Sequence, residues 1–265
     1  MAALRSLLWL GFFALLGLAV LIGLGVWQLD RLAWKEGLIA EVSARVAAPP
    51  VPAPAEADWA TLKPADYEYR HVVLSGIYEP ARQVLVFRAL AHPRGRFGGP
   101  GYLVLTPLRL SDGAYVIVNR GFVPQDQKSR FVTPAAPPSE VVAVSGLMRP
   151  SEPRTWFTPA DDPAHGDWFT RDPGAIAAAL KLERAAPFTV DADAEGKPGD
   201  LPQGGETILA FPNDHLSYAL TWFGMALALA GVFCAYAISR VRTLPPKRHA
   251  SDSSGAHPDG GQAKP

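Results

Sequence analysis

Between Leu216 and Ser239 the chain runs for roughly 24 residues without a charged side chain, a length at which a helix crosses the ~30 Å hydrocarbon core of a bilayer. The spacing predicts a transmembrane helix over 215–239. Pro212, Asn213 and Asp214 stand just before it, where an Asn or Asp side chain can accept the first free amides, so the helix is expected to start near His215. A second uncharged run, Leu7 to Gln28, follows Arg5 and meets the same length test. It exceeds the about 7 to 15 apolar residues of a secretory signal, and Gly25-Val26-Trp27-Gln28-Leu29 lacks a small-residue cleavage pattern. An uncleaved anchor is therefore expected.

Two spans divide the chain into segments. Residues 1–6 form a short end, 7–28 the first span and 29–47 a helical extension with Leu32, Ile39, Val42 and Val46 on one stripe. A Pro-rich spacer follows at 48–56, where successive prolines favour an extended chain. Residues 57–214 make the domain between the spans, 215–239 the second span, and 240–265 a basic and then disordered tail. Lys and Arg beside a span are retained on the cytoplasmic side. Arg5 before the first span and Arg240, Arg242, Lys247 and Arg248 after the second put both termini in the cytoplasm and 57–214 outside it. Gly17, Gly23 and Gly25 in the first span, with Gly224, Ala228 and Gly231 in the second, are small residues that would let two helices approach closely.

The 25 basic and 25 acidic residues balance, which argues against a nucleic-acid binder. A lone cysteine, Cys234, rules out an internal disulfide and a CxxC redox motif. The middle of the chain predicts short strands at Tyr69–Tyr78, Gln83–Phe87, Tyr102–Leu110, Ala114–Asn119, Glu140–Leu147 and Pro187–Val190, with a last one over Glu206–Ala210. Ser111-Asp112-Gly113 reads as a hairpin turn, Thr133–Pro138 as a Pro-rich loop, and Asp172-Pro173 opens a short Ala-rich helix to about Leu182. The fold class is α+β: two transmembrane helices flanking a small antiparallel β-barrel or sandwich with a short helix.

On the second span His215, Tyr218, Ala219 and Trp222 share a face, and on the first Trp27, Arg31 and Trp34 do. An antiparallel helix pair would bring Trp27, Gln28 and Arg31 to the same depth as His215, Tyr218 and Trp222. Two explanations fit: a docking place for a flat amphipathic ligand, or a belt of interfacial aromatic rings with a snorkelling arginine. Asp161, Asp162, His165 and Asp167 have the side chains of a divalent-metal site but also those of an ordinary loop. GRFGGPG at Gly95–Gly101 lacks the Lys-Ser/Thr of a phosphate loop. No nucleophile elbow marks a hydrolase, although Ser75 or Ser129 with Lys63 or Lys128 would supply a Ser-Lys dyad.

GVWQLDRLAWKEGLI (Gly25–Ile39), GYLVLTPLRL with VIVNRGFVP (Gly101–Pro124), DWFTRD (Asp167–Asp172) and PNDHLSYALTWFG (Pro212–Gly224) resemble the Surfeit locus protein 1 family of cytochrome c oxidase assembly factors. The resemblance implies a non-enzymatic, multi-pass protein of the bacterial inner membrane, or of the mitochondrial inner membrane in a eukaryote. It would act when haem a enters the catalytic subunit of a haem-copper oxidase. Implied partners are oxidase subunits or assembly intermediates, the haem a synthesis machinery, the lipid bilayer and a second copy of the chain. Some bacterial members are thought to bind haem a through the histidine of the second-span motif. That histidine is His215 here; Tyr218, Trp222 and Trp27 would then cover the porphyrin faces or edge, and Arg31 would pair with a propionate. The motif commonly has Asn where this chain has Asp214.

Overall fold

The computed structural model describes residues 2–132, 140–152, 154–207 and 211–242. The predicted loop Thr133–Pro138, residues 208–210 of the predicted last strand, and the tail beyond Thr243 lie outside the described residues. The chain divides into one unit of Met1–Lys35 with the chain from Asn213 onward, and another of Glu36–Pro212.

The first apolar run and its predicted extension form a single helix, α1 (Ala2–Ala47). The Pro-rich segment that follows, expected to be extended, gains a strand partner. Val51–Pro52 forms a two-residue strand, β1, parallel to β2 (His71–Tyr78), and Ala53 donates its amide to the Val73 carbonyl at 3.1 Å. A 3₁₀ turn at Glu56–Thr61 and a short helix, α2 (Pro64–Tyr67), carry the chain between these strands. Then come β3 (Val84–Leu90), β4 (Gly99–Leu110), β5 (Tyr115–Pro124), the short α3 (Ser129–Val132), β6 (Val142–Arg149), α4 (Pro173–Ala179) and β7 (Ala185–Ala192). The last helix, α5, covers His215–Arg242.

The strands pair in the order β1-β2-β6-β7-β5-β4-β3, and β2 also pairs with β4, which closes β2, β6, β7, β5 and β4 into a ring. The expected barrel is present. Most of its pairings are antiparallel, but β5 and β7 run parallel, because β6, which is antiparallel to β7, lies between them in the chain and reverses its direction once. Period-two alternation fills the ring: Val72 and Leu74, Val116 and Val118, Val144 and Met148, and Phe188 and Val190 point inward with Leu108. The outer face of β4 and β5 is buried as well. Leu105, Ile117 and Phe122 meet Val84 and Val86 of β3, Trp168, and Ile176 of α4. Among the described residues a third cluster, Leu85, Val104 and Val123, also draws on β4 and β5, so these strands serve three clusters and read as nearly continuous apolar runs.

The turn over Asp112 and Gly113 forms as predicted, with Asp112 Oδ1 accepting the Ala114 amide and Gly113 at φ +84°. Asp172 caps α4 through Oδ1 to the Ala175 amide, with Pro173 at the first helical position. Strand β5 does not end at Asn119 as expected. Asn119 faces Leu105 and Phe122 faces Leu103, so β5 carries one extra residue there, a bulge with Gly121 at φ +132°. On the far side of β3, Trp168 forms a parallel bridge with Val86, and its carbonyl accepts the Phe87 amide at 2.8 Å. Glu206 and Thr207, where a last strand was expected, are irregular.

Candidate functional site

The predicted site residues lie on α1 and α5 within the first unit. Ideal Cβ atoms placed on three α1 glycines meet α5 side chains in reverse order: Gly11 meets Phe233, Gly17 meets Leu229 and Gly25 meets Phe223. The helices are therefore antiparallel. At Gly25 the Phe223 ring comes within 2.6 Å of the Cβ position, so the glycine is what admits the ring. The other small residues do not serve this purpose. Gly23, Gly224 and Gly231 meet nothing within 4 Å and Ala228 is exposed, because on α5 these positions turn away from the face that carries Ala219, Phe223 and Ala226. Ala219 and Ala226, seven residues apart, are the buried small residues of α5. The outward surfaces of both helices are apolar, with Leu8, Leu15, Leu227 and Val232 among the exposed side chains. Both are long and apolar enough to cross a membrane, and almost none of either apolar window is buried, unlike the core helix of a soluble protein.

At the head of this pair the structure joins His215 to Gln28. His215 Nδ1 lies 2.7 Å from Gln28 Oε1, and Gln28 is only 9% exposed. A carboxamide oxygen only accepts, so Nδ1 donates, and in the neutral ring the lone pair sits on Nε2. This is the arrangement in which an imidazole presents one nitrogen to a ligand while a hydrogen bond at the other fixes its tautomer and orientation. The remaining predicted residues are arranged more loosely. Trp222 is half-buried, whereas Trp27 and Tyr218 are 52% and 57% exposed. The Arg31 guanidinium lies 4.4 Å over the Trp34 ring. The expected side-chain cap of α5 does not form: Asn213 Oδ1 has no hydrogen-bond partner among the described residues, and the Asp214 backbone carbonyl accepts the Tyr218 amide.

The acidic loop is knit to itself. Asp161 Oδ1 accepts the Phe169 and Thr170 amides, and Asp162 Oδ2 lies 2.6 Å from His165 Nδ1. Among the described residues no cluster of three or more His, Cys, Asp or Glu could hold a metal ion. The Ser75 hydroxyl donates to the Val142 carbonyl and the Lys128 ammonium lies 4.5 Å over the Tyr102 ring, so neither is set up for a dyad. Sequence reading missed His71, whose Nε2 lies within 2.9 Å of Ser145 Oγ and 2.8 Å of Asp193 Oδ2. A serine triad needs the carboxylate on the other ring nitrogen. Here that nitrogen faces the Ala48 carbonyl at 3.0 Å, which makes the cluster a tie between β2, β6 and the end of α1.

A buried ionic cluster was also missed. Arg171, 3% exposed, donates from Nη1 to Asp191 Oδ1 at 2.6 Å and from Nη2 to Glu152 Oε1 at 2.9 Å. Asn119 and Thr207 also donate to Asp191, and Arg88 donates to Glu152. Burial pushes both carboxyls up, but Arg171, with Asn119 beside Asp191 and Arg88 beside Glu152, outweighs it and holds both below the usual carboxylate range. The available signal was a lone Asp in a strand whose neighbours Thr189 and Val190 are both buried.

Fold and site together define a membrane-associated class: a β-barrel domain inserted in sequence between two apolar helices, which share a half-buried imidazole bonded to a buried carboxamide. Residues 15–227 match the SURF1 family. Surfeit locus protein 1 of Mus musculus is 34% identical over 229 residues, covering 83% of this chain and 72% of that protein. The Homo sapiens protein of that name is 33% identical over 217 residues, covering 78% and 70%. A SURF1-like protein of Drosophila melanogaster is 34% identical over 245 residues, covering 88% and 79%. The chain belongs to the SURF1 family.

Proposed function

We propose that the chain is an inner-membrane assembly factor for cytochrome c oxidase, without enzymatic activity, and that it holds haem a as a transient cargo for the catalytic subunit. Family membership supports the assembly role. The observation that carries the haem reading is the His215–Gln28 hydrogen bond, which leaves Nε2 as the lone-pair nitrogen of a half-buried imidazole. The donor set fits the cargo in kind: haem iron takes an axial imidazole. Gln28 keeps Nδ1 protonated and the ring oriented. Trp27, Tyr218 and Trp222 offer ring surface, and Arg31 on its Trp34 platform offers a cation for a propionate. One histidine gives one axial bond, which suits release better than storage. The basic residues beside both spans support cytoplasmic, or matrix, termini and an outer barrel.

The test is expression with a haem a supply, comparing bound haem and the Soret band in wild type, His215→Ala and Gln28→Leu. Loss in His215→Ala and a shifted band in Gln28→Leu are expected. An unchanged spectrum and stoichiometry in His215→Ala would remove it as a ligand. The assembly role is tested separately by deleting the gene and measuring the haem a-to-copper ratio of the isolated oxidase, which should fall. One observation favours a second reading, a scaffold that binds protein and not haem. Trp156 is 95% and Phe157 70% exposed, their rings 5.6 Å apart and edge to face. Such a pair suits a partner surface. A scaffold would co-purify with oxidase subunits while carrying no haem.

A further inference from the structure

The ionic cluster of the barrel lines a cavity of about 110 Å³, whose wall includes Arg88, Arg149, Glu152, Arg171, Asp191 and Glu206. Its carboxylates already have partners. Asp191 accepts from Arg171, Asn119 and Thr207, and Glu152 from Arg88 and Arg171. Glu206 accepts from the Arg94 and Gly95 amides and from Gln203. Its donors are not all used. Among the described residues Arg171 Nε, Arg149 Nε and Arg149 Nη1 are buried with no hydrogen-bond partner. Arg149 is held in place by other means, its guanidinium 4.2 Å over the Tyr69 ring and Nη2 3.7 Å from Glu68.

We infer that this cavity binds a single carboxylate group. The unmet hydrogen-bonding capacity consists of donors only, so a fitting occupant brings acceptors. Those donors belong to two guanidinium groups, and an ionised acceptor bonds to guanidinium more strongly than a neutral one. The Glu206 carboxylate on the same wall opposes a second negative charge, which favours a monovalent carboxylate over a phosphate dianion. The volume holds roughly three or four waters at ~30 Å³ each, enough for a carboxylate head but not for the body of a large ligand. A small free acid and the end of a longer molecule present the same head. The site lies wholly in the unit Glu36–Pro212 and does not include His215.

Acetate, acetamide and sodium chloride are titrated calorimetrically at matched ionic strength into the full-length protein in detergent. The same is done with a tripeptide free acid and its C-terminal amide, and with inorganic phosphate. Saturable binding of acetate or the tripeptide acid is expected, with acetamide, the peptide amide and chloride inert, and with about tenfold weaker binding or less in Arg149→Gln. Tighter binding of the tripeptide acid than of acetate identifies a chain end as the source; the reverse identifies a small free acid. No saturable carboxylate binding by wild type would overturn the site. Phosphate saturating in place of carboxylate would overturn the ligand class. Undiminished binding by folded Arg149→Gln would overturn the residue assignment, and if that variant does not fold, the wild-type comparison of acetate with acetamide decides.

Discussion

Replacing Asp191 by Asn keeps the side chain's size and removes its charge at a position 5% exposed, facing an Arg171 guanidinium 3% exposed. Breaking a buried ion pair by neutralising one partner costs about 3–5 kcal/mol, because the other charge stays desolvated. Here Glu152 still contacts Arg171 Nη2 at 2.9 Å, which puts the expected cost near the lower end, about 3 kcal/mol. Asparagine adds a second difficulty. Arg171 and Asn119 both donate to Oδ1, where an amide NH₂ would meet donors with a donor, so the amide oxygen must stay there and the NH₂ must face Thr207, whose hydroxyl has to turn from donor to acceptor.

In a unit the size of Glu36–Pro212, each kcal/mol lowers Tm by roughly 2–4 °C, so Asp191→Asn should melt about 6–12 °C below wild type. Tryptophan fluorescence reports the transition, since Trp59 and Trp168 are both buried in the barrel. The double variant Arg171→Gln, Asp191→Asn should lose less than the two single losses added, because it leaves no lone charge behind. A single-variant loss below about 1 kcal/mol would mean that the pair behaves like a surface salt bridge and would refute the reasoning. Strict additivity of the two changes would refute it as well.

Acid should act through the same cluster. The native pKa values of Glu152 and Asp191 are depressed, so their contribution is fully present above the unfolded carboxylate range near pH 4 and is lost as pH falls below it, when the unfolded chain takes up protons first. Fluorescence-monitored unfolding below about pH 4 should therefore be less pH-dependent in Glu152→Gln than in wild type, and an identical slope would contradict the assignment. Gly146→Ala would put a Cβ 2.2 Å from the Asp191 carbonyl oxygen, which is backbone and cannot swing aside. A loss of about 1–3 kcal/mol by urea unfolding is expected, with β6 and β7 the first strands to lose amide protection in hydrogen exchange.

The elements legible in the sequence were those whose cause is local. Two uncharged runs, a Ser-Asp-Gly turn and an Asp-Pro helix start each act within a few residues, and all appear where expected. Features set by distant contacts were not legible. Arg120-Gly121 looks like the end of a strand, yet Gly121 supplies a bulge that carries β5 on to Pro124, because β4 runs alongside and fixes its register. The 48–56 segment reads as an extended spacer of limited flexibility, and only β2 shows that Val51 and Pro52 have a strand partner. The helix pair was expected from its small residues, but which of them meet depends on how two cylinders turn toward each other, and α5 presents Ala219 and Ala226 rather than Gly224 and Gly231. Near His215, the closeness of Gln28 followed from an antiparallel pairing of the two helices. The bond from His215 to Gln28 needed coordinates, as did the meeting of Arg171, Asp191 and Glu152, which come from separate stretches of chain.

The bridge between Trp168 and Val86 bears on how the protein avoids unwanted company. An outermost strand normally displays unpaired amides and carbonyls onto which a foreign chain can add itself. On β3 the Phe87 amide is already taken by the Trp168 carbonyl, and the indole that comes with it is seated among Val86, Leu105 and Ile176. A stranger seeking to extend the sheet at Phe87 would first have to lift that ring out of the interior, so the molecule's own tryptophan acts as a latch against runaway self-association.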